Sequence, residues 1–216
     1  MEQKKKGLKN EIKYEITLNE EQKEAKRLIR DNQIVVITGR AGCGKSLVSA
    51  QCALDFLFKK QVDNIMVTRA AVEVGHSLGF LPGSLNEKFD PYLEAFQENL
   101  TKCYDKVKVD ELIHSKKVIA LPVQFIRGKT IDDVLVVEEA QNLTKAEMLA
   151  ILTRLGKNGK IIINGDNEQK DIRDEYNGLS YAIDLSKKLK EIKWMKLKEN
   201  HRSDLVGKIL DYEYGK

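Results

Sequence analysis

Apolar residues recur along this chain in two rhythms. Short β-branched runs at 33–38, 62–68, 117–121, 134–137, 160–165 and 192–197 read as strands, most of them apolar on consecutive positions, as strands buried on both faces are. Between them, apolar positions fall three and four apart. That spacing predicts helices over 20–31, 47–60, 90–104, 145–156 and 178–190, and a terminal helix capped at Ser203 or Asp204. Asn19 is placed to N-cap the first helix and Thr144 the fourth, which Gly156 closes. Asp90 caps the third, with Pro91 at its first position. An edge strand is expected at 14–17, and the stretch 122–130 reads as a loop. Strand and helix alternate, so the expected class is α/β: a mainly parallel sheet with helices on both faces, its ligands at the carboxyl ends of the strands.

Residues 69–96 break the alternation. Glycines at 75, 79 and 83 and prolines at 82 and 91 exclude one long helix across this connection. A long structured connection in a compact domain is more often functional than idle. Residues 1–16 read as a basic arm whose Lys4, Lys5 and Lys6 suit a solvated tail, and 17–216 as a single domain.

Composition narrows the class without choosing the function. The chain has 216 residues, 42% hydrophobic and 32% charged, as a folded globular protein does. A net charge of +4 permits a nucleic-acid partner without requiring one. Three cysteines without metal-ligand spacing point to reduced thiols and a cytoplasmic setting. No apolar run reaches membrane-spanning length, and the first residues lack the apolar core of a signal peptide. His76, His114 and His201 form no metal or triad pattern.

The strongest chemistry lies between the first strand and the second helix. Gly39-Arg40-Ala41-Gly42-Cys43-Gly44-Lys45-Ser46 fits the phosphate-binding pattern G-x-x-x-x-G-K-[ST], and Leu47 continues into the helix. Glycines let the backbone fold around an anion, and the helix N-terminus adds partial positive charge. Lys45 is placed to reach the β- and γ-phosphates of a nucleotide, and the Ser46 hydroxyl to ligate Mg²⁺.

The run 134–137 ends in Glu138 and Glu139. An acid after a second strand completes an Mg-nucleotide site, so Glu138 is the expected Mg²⁺ acid and Glu139 the group that orients or deprotonates an attacking water. Gly165, Asp166 and Gln169 follow the fifth strand and belong at the same edge. Gln169 and Arg202 are candidates for sensing the γ-phosphate, while Arg69, Arg127, Lys129 and Arg154 are expected near carboxyl edges, where a cation can meet phosphate. Gln22 has no evident physical need for glutamine and reads as a surface residue.

From Leu18 to Glu213 the chain resembles the PhoH family of P-loop ATPases. The resemblance rests on GRAGCGKS, TRAAVEVGHSLGFLPGSLNEKFDPY, FIRGKT, VVEEAQNLTKAEMLAILTRLG and NGDNEQKD. It implies a RecA-like P-loop fold related to the first motor domain of superfamily 1 helicases. It further implies ATP and Mg²⁺ as cofactors, Gln22 reading adenine, Thr68-Arg69 touching nucleic acid or phosphate, Gln169 coupling the γ-phosphate to motion, and Arg202 approaching that phosphate. The family usually carries Asp-Glu where this chain has Glu138-Glu139. No second motor domain is seen after Arg202, so either a homo-oligomer, with a ring hexamer as one form, completes the site or hydrolysis is slow. Partners implied are RNA or single-stranded DNA. Two rival readings stay open: an ATP-binding regulatory or assembly module with little hydrolysis, and a P-loop kinase, which Glu139 disfavours because a kinase should exclude water.

Overall fold

The computed structural model describes residues 14, 16–70, 85–169, 176–199, 201 and 204–213. Its elements run α1 (Glu20–Asp31), β1 (Ile34–Thr38), α2 (Lys45–Phe58), β2 (Ile65–Arg69), α3 (Leu85–Cys103), α4 (Lys106–His114), β3 (Val118–Ala120), α5 (Val123–Ile126), β4 (Val134–Glu138), α6 (Lys145–Leu152), β5 (Lys160–Gly165), α7 (Gly178–Lys188), β6 (Ile192–Lys196) and α8 (Asp204–Glu213). The six strands expected from the apolar runs form. They pair in parallel in the order β3-β2-β4-β5-β1-β6.

This order has one consequence for chemistry. β5 lies between β1, which feeds the glycine loop, and β4, which ends in the acid pair. The register sets Ile37 beside Asn164 and Val137 beside Ile163. Any contact between loop and acid must therefore cross β5 near Asn164.

Alternate strand residues face opposite sides. Val35, Ile37, Val67, Val134, Val136 and Ile162 pack on α1 to α4, while Val36, Leu135, Val137, Ile161 and Ile163 pack on α5, α6 and α7. Helices thus cover both faces, as the run-like strands require. Asn19 caps α1 reciprocally: its side chain accepts from Gln22 N at 2.8 Å, and Gln22 Oε1 accepts from Asn19 N at 3.1 Å.

Several expectations on secondary structure need correction. Tyr14, Ile16 and Thr17 form no strand. Tyr14 Oη donates to the Gln51 carbonyl (2.8 Å) and to Asp55 (2.7 Å), and the Ile16 carbonyl accepts from Gln51 Nε2 (3.1 Å), so the segment is spent on α2 and does not reach a sheet edge. α3 starts at Leu85 and runs through Pro91, in its second turn, where a proline removes one backbone donor without ending the helix. α4 and the short α5 add to the expected elements, α5 falling inside the expected loop. α6 ends at Leu152 with Thr153 as its cap. Gly156 instead donates its N–H to the Ile131 carbonyl at 2.8 Å, where a Cβ would also meet that carbonyl. Residues 71–84 of the connection 69–96 lie outside the described residues, as does the arm apart from Tyr14 and Ile16.

Candidate functional site

The loop between β1 and α2 takes three left-handed glycines: Gly39 (φ 151°), Gly42 (φ 89°) and Gly44 (φ 88°). Gly44 is constrained twice, because a Cβ there would also clash with Gln22 Nε2. That amide donates to the Cys43 carbonyl at 3.1 Å. Gln22 is buried, not a surface residue. It joins the capping box of α1 to the back of the glycine loop.

Loop, acid pair and the β5 exit meet in one cleft of about 770 Å³. Ala41, Gly42, Gly44, Lys45, Ser46 and Leu47 line it from the loop, and Gln22 from α1. Glu138, Glu139, Gly165 and Gln169 line it from the strand ends. Lys45 Nζ donates to the loop's own carbonyls, Gly39 O at 2.5 Å and Arg40 O at 3.2 Å.

Gly39 and Arg40 face elsewhere, beside a smaller cavity of about 170 Å³ behind the loop. The Arg40 guanidinium pairs with Asp211 of α8 at 2.6 Å and stands 3.3 Å from Glu168. The Cys43 thiol is buried beneath the loop, and burial pushes it up from its ordinary range. These residues remain candidates through their backbone.

Glu138 Oε2 accepts from Ser46 Oγ at 2.9 Å, and Oε1 accepts from Asn164 Nδ2 at 3.0 Å. Asn164 is fully buried on β5 and bonds Ser49 Oγ of α2. Burial raises the Glu138 carboxyl above its ordinary value, and the two hydrogen bonds pull the other way. Ser46 and Glu138 are two hard oxygen donors, one anionic. That pair fits Mg²⁺, which takes oxygen ligands and keeps several waters.

Glu139 is left-handed (φ 51°, ψ 47°), a strained state for a residue with a Cβ. The kink separates the two carboxylates. Glu138 turns to Ser46, whereas Glu139 Oε2 accepts from Gln141 Nε2 at 2.6 Å. Gln141 also donates to the Gln169 carbonyl at 3.1 Å and accepts from Asp166 N at 3.0 Å. Asp166 is buried, which raises its carboxyl above the usual range.

Other predicted residues sit outside the cleft. Arg69 ends β2 level with Glu138, at the carboxyl edge as expected. Arg154 does not lie at that edge: its carbonyl accepts from Ile131 N (2.8 Å), three residues before β4 begins. Its Nη1 reaches the Arg127 carbonyl at 3.1 Å, tying Arg127 to the same region. Neither these two arginines nor Lys129 lines the cleft, because the chain must return from the end of β3 to the start of β4 through them. Arg202 lies outside the described residues.

Sequence reasoning missed Asn164, Gln141 and His201. A polar residue inside the apolar run 160–165 is the signal that marks Asn164. Gln141 carries no such signal. His201 N donates to the Gly42 carbonyl at 3.1 Å, and its ring nitrogen lies 3.0 Å from Asn19 Nδ2, so the chain after β6 closes one wall of the cleft.

Comparison with known proteins agrees with this architecture. The Escherichia coli (strain K12) protein PhoH is 39% identical over 170 residues, spanning 77% of this chain and 48% of its own length. A PhoH-like protein of Bacillus subtilis (strain 168) is 35% identical over 224 residues, spanning 94% of this chain and 70% of the relative. The chain thus spans about half the length of the first of these relatives. Among solved structures, the large terminase of a thermophilic bacteriophage superposes with a TM-score of 0.56 at 10% identity, over 91% of this chain and 50% of that one, a likeness of fold. The model of the PhoH-like protein family matches residues 16–213, and the chain belongs to that family.

Proposed function

We propose that this chain binds ATP with Mg²⁺ in the 770 Å³ cleft and hydrolyses it, coupled to RNA or single-stranded DNA. The observation that carries the reading is the 2.9 Å contact between Ser46 and Glu138, with Glu139 on the same cleft wall. Loop N–H groups and Lys45 take the phosphates; Lys45 exchanges its bonds to two loop carbonyls for phosphate oxygens. Gln22 stands at the adenine end beside the capping box. Ser46 and Glu138 would hold Mg²⁺, which when bound neutralises charge on the phosphates. Glu139 accepts the proton of the attacking water, and Gln169 contacts the γ-phosphate from the β5 side. Arg202, from its own subunit, or a neighbour's arginine supplies the last cation. The working form is a cytoplasmic homo-oligomer, a ring hexamer being one arrangement that repeats such a contact.

Glu139→Gln tests this. Nucleotide binding should persist while phosphate release slows at least about a hundredfold, the scale of lost general-base assistance. Normal hydrolysis by that variant would move the base elsewhere, and phosphate transfer to an added metabolite would replace hydrolysis by kinase chemistry.

A further inference from the structure

Gln141 is a buried amide, only 1% exposed, with three fixed partners. Its nitrogen faces a carboxylate oxygen of Glu139 and the Gln169 carbonyl, and its oxygen faces Asp166 N–H. A flipped amide would set oxygen against two acceptors and nitrogen against a donor, so its orientation is determined. The space is fitted to it as well: a Cβ on Gly165 would come 2.9 Å from Gln141 Oε1. A glutamine that only satisfied backbone would need Asp166 and Gln169 alone. The third and shortest bond goes to a carboxylate that already stands on a strained backbone.

We propose that Gln141 is a positioning residue: it fastens the Glu139 carboxylate to the backbone that carries Gln169, so that the two groups keep one relative position. The inference rests on Glu139 being the group that takes the proton from water. Any displacement of the turn Asn167–Gln169 then moves the base, which makes proton abstraction depend on how Gln169 is seated.

Two variants and one background test this. Gln141→Met keeps length and removes both donors and the acceptor. Its affinity for a fluorescent ATP analogue with Mg²⁺ should stay within about threefold of wild type, while single-turnover hydrolysis falls about tenfold to a hundredfold, the scale of a misplaced catalytic group. In the Glu139→Gln background the same change should cost less than about twofold, because residues acting as a unit are not additive. Gln141→Glu keeps the acceptor for Asp166 N–H, so it guards against loss of fold. Its hydrolysis relative to wild type should recover as pH falls from about 8 to 6, as the introduced carboxyl gains the proton with which it can donate to Glu139. Wild-type hydrolysis by Gln141→Met, multiplying defects in the double variant, or no recovery at low pH would overturn the inference alone. Normal hydrolysis by Glu139→Gln would instead remove the base reading, and this role with it.

Discussion

Asn164 Nδ2 donates to Glu138 Oε1 at 3.0 Å from a strand that separates the glycine-loop strand from the acid strand. The same side chain bonds Ser49 Oγ one helical turn after Lys45. Asn164 therefore fixes the acid from below while Ser46 meets it from the side. Asn164→Leu keeps approximate volume but removes the β5 partner of Glu138 Oε1 and leaves Ser49 Oγ with the Lys45 carbonyl alone, at a cost of about 1 kcal/mol in stability. Loss of such a supporting contact typically weakens metal affinity about tenfold to a hundredfold. Urea unfolding and Mg²⁺ titration of nucleotide binding read the two effects separately. An unchanged Mg²⁺ dependence would mean that Glu138 needs no support from β5.

Burial, with Glu139 adding to it, holds the Glu138 carboxyl above its ordinary value near 4.5. A folded-state value raised above the unfolded one contributes stability below the unfolded value, and that contribution is lost as pH rises through the folded one. Ionised Glu138 is thus a cost in the free protein at neutral pH, and a bound cation offsets it. Mg-ATP affinity should rise with pH from the ordinary glutamate range up to the shifted value and level off above it, with protons released on binding. Calorimetry in two buffers of different ionisation heat counts those protons. ATP titrates too, so Glu138→Gln is the control: it should bind more weakly and release fewer protons. Equal release by both proteins would detach Glu138 from the cation.

Much of this was legible in the chain because its signals are local. The run 134–137 followed by two glutamates needs nothing beyond itself to be read as a buried strand ending in acid. The loop likewise declares itself, since φ near +90° at 42 and 44 calls for glycine. What escaped depends on which strands are neighbours. Asn164 matters because β5 lies between β1 and β4, a fact of sheet order that no spacing encodes. Gln141 matters because the β4 and β5 exits lie side by side. Gln22 looked idle because its two partners, Asn19 N and the Cys43 carbonyl, are met only once α1 packs behind the loop. Arg154 was misplaced for a related reason: ending α6 at Leu152 and bridging Leu155 to Ile131 carries it to the amino side of the sheet.

That position sharpens the question of what closes the cleft. Among the described residues Lys45 lines the cleft from the loop and Lys102 from α3, and where the cleft opens to solvent charges are screened. Arg127 is exposed, its backbone is tied to Arg154, and neither lines the cleft of its own subunit. If Arg127 acts on phosphate it must do so in a neighbour, in a head-to-tail contact that repeats around a ring. Specific ATPase activity should then rise with protein concentration until assembly is complete. A Lys45→Ala subunit binds no nucleotide tightly but still offers its Arg127; an Arg127→Ala subunit binds nucleotide but lacks the finger. Each alone should be about a thousandfold slower, the scale of a missing arginine finger, and their mixture should regain part of the activity at mixed interfaces. The same ring would gather the charge of +4 per subunit onto one surface, so nucleic-acid affinity should fall steeply with salt. Sedimentation of a strict monomer with full activity at nanomolar concentration would exclude the arrangement and leave Arg202 of the same subunit as the cation to test.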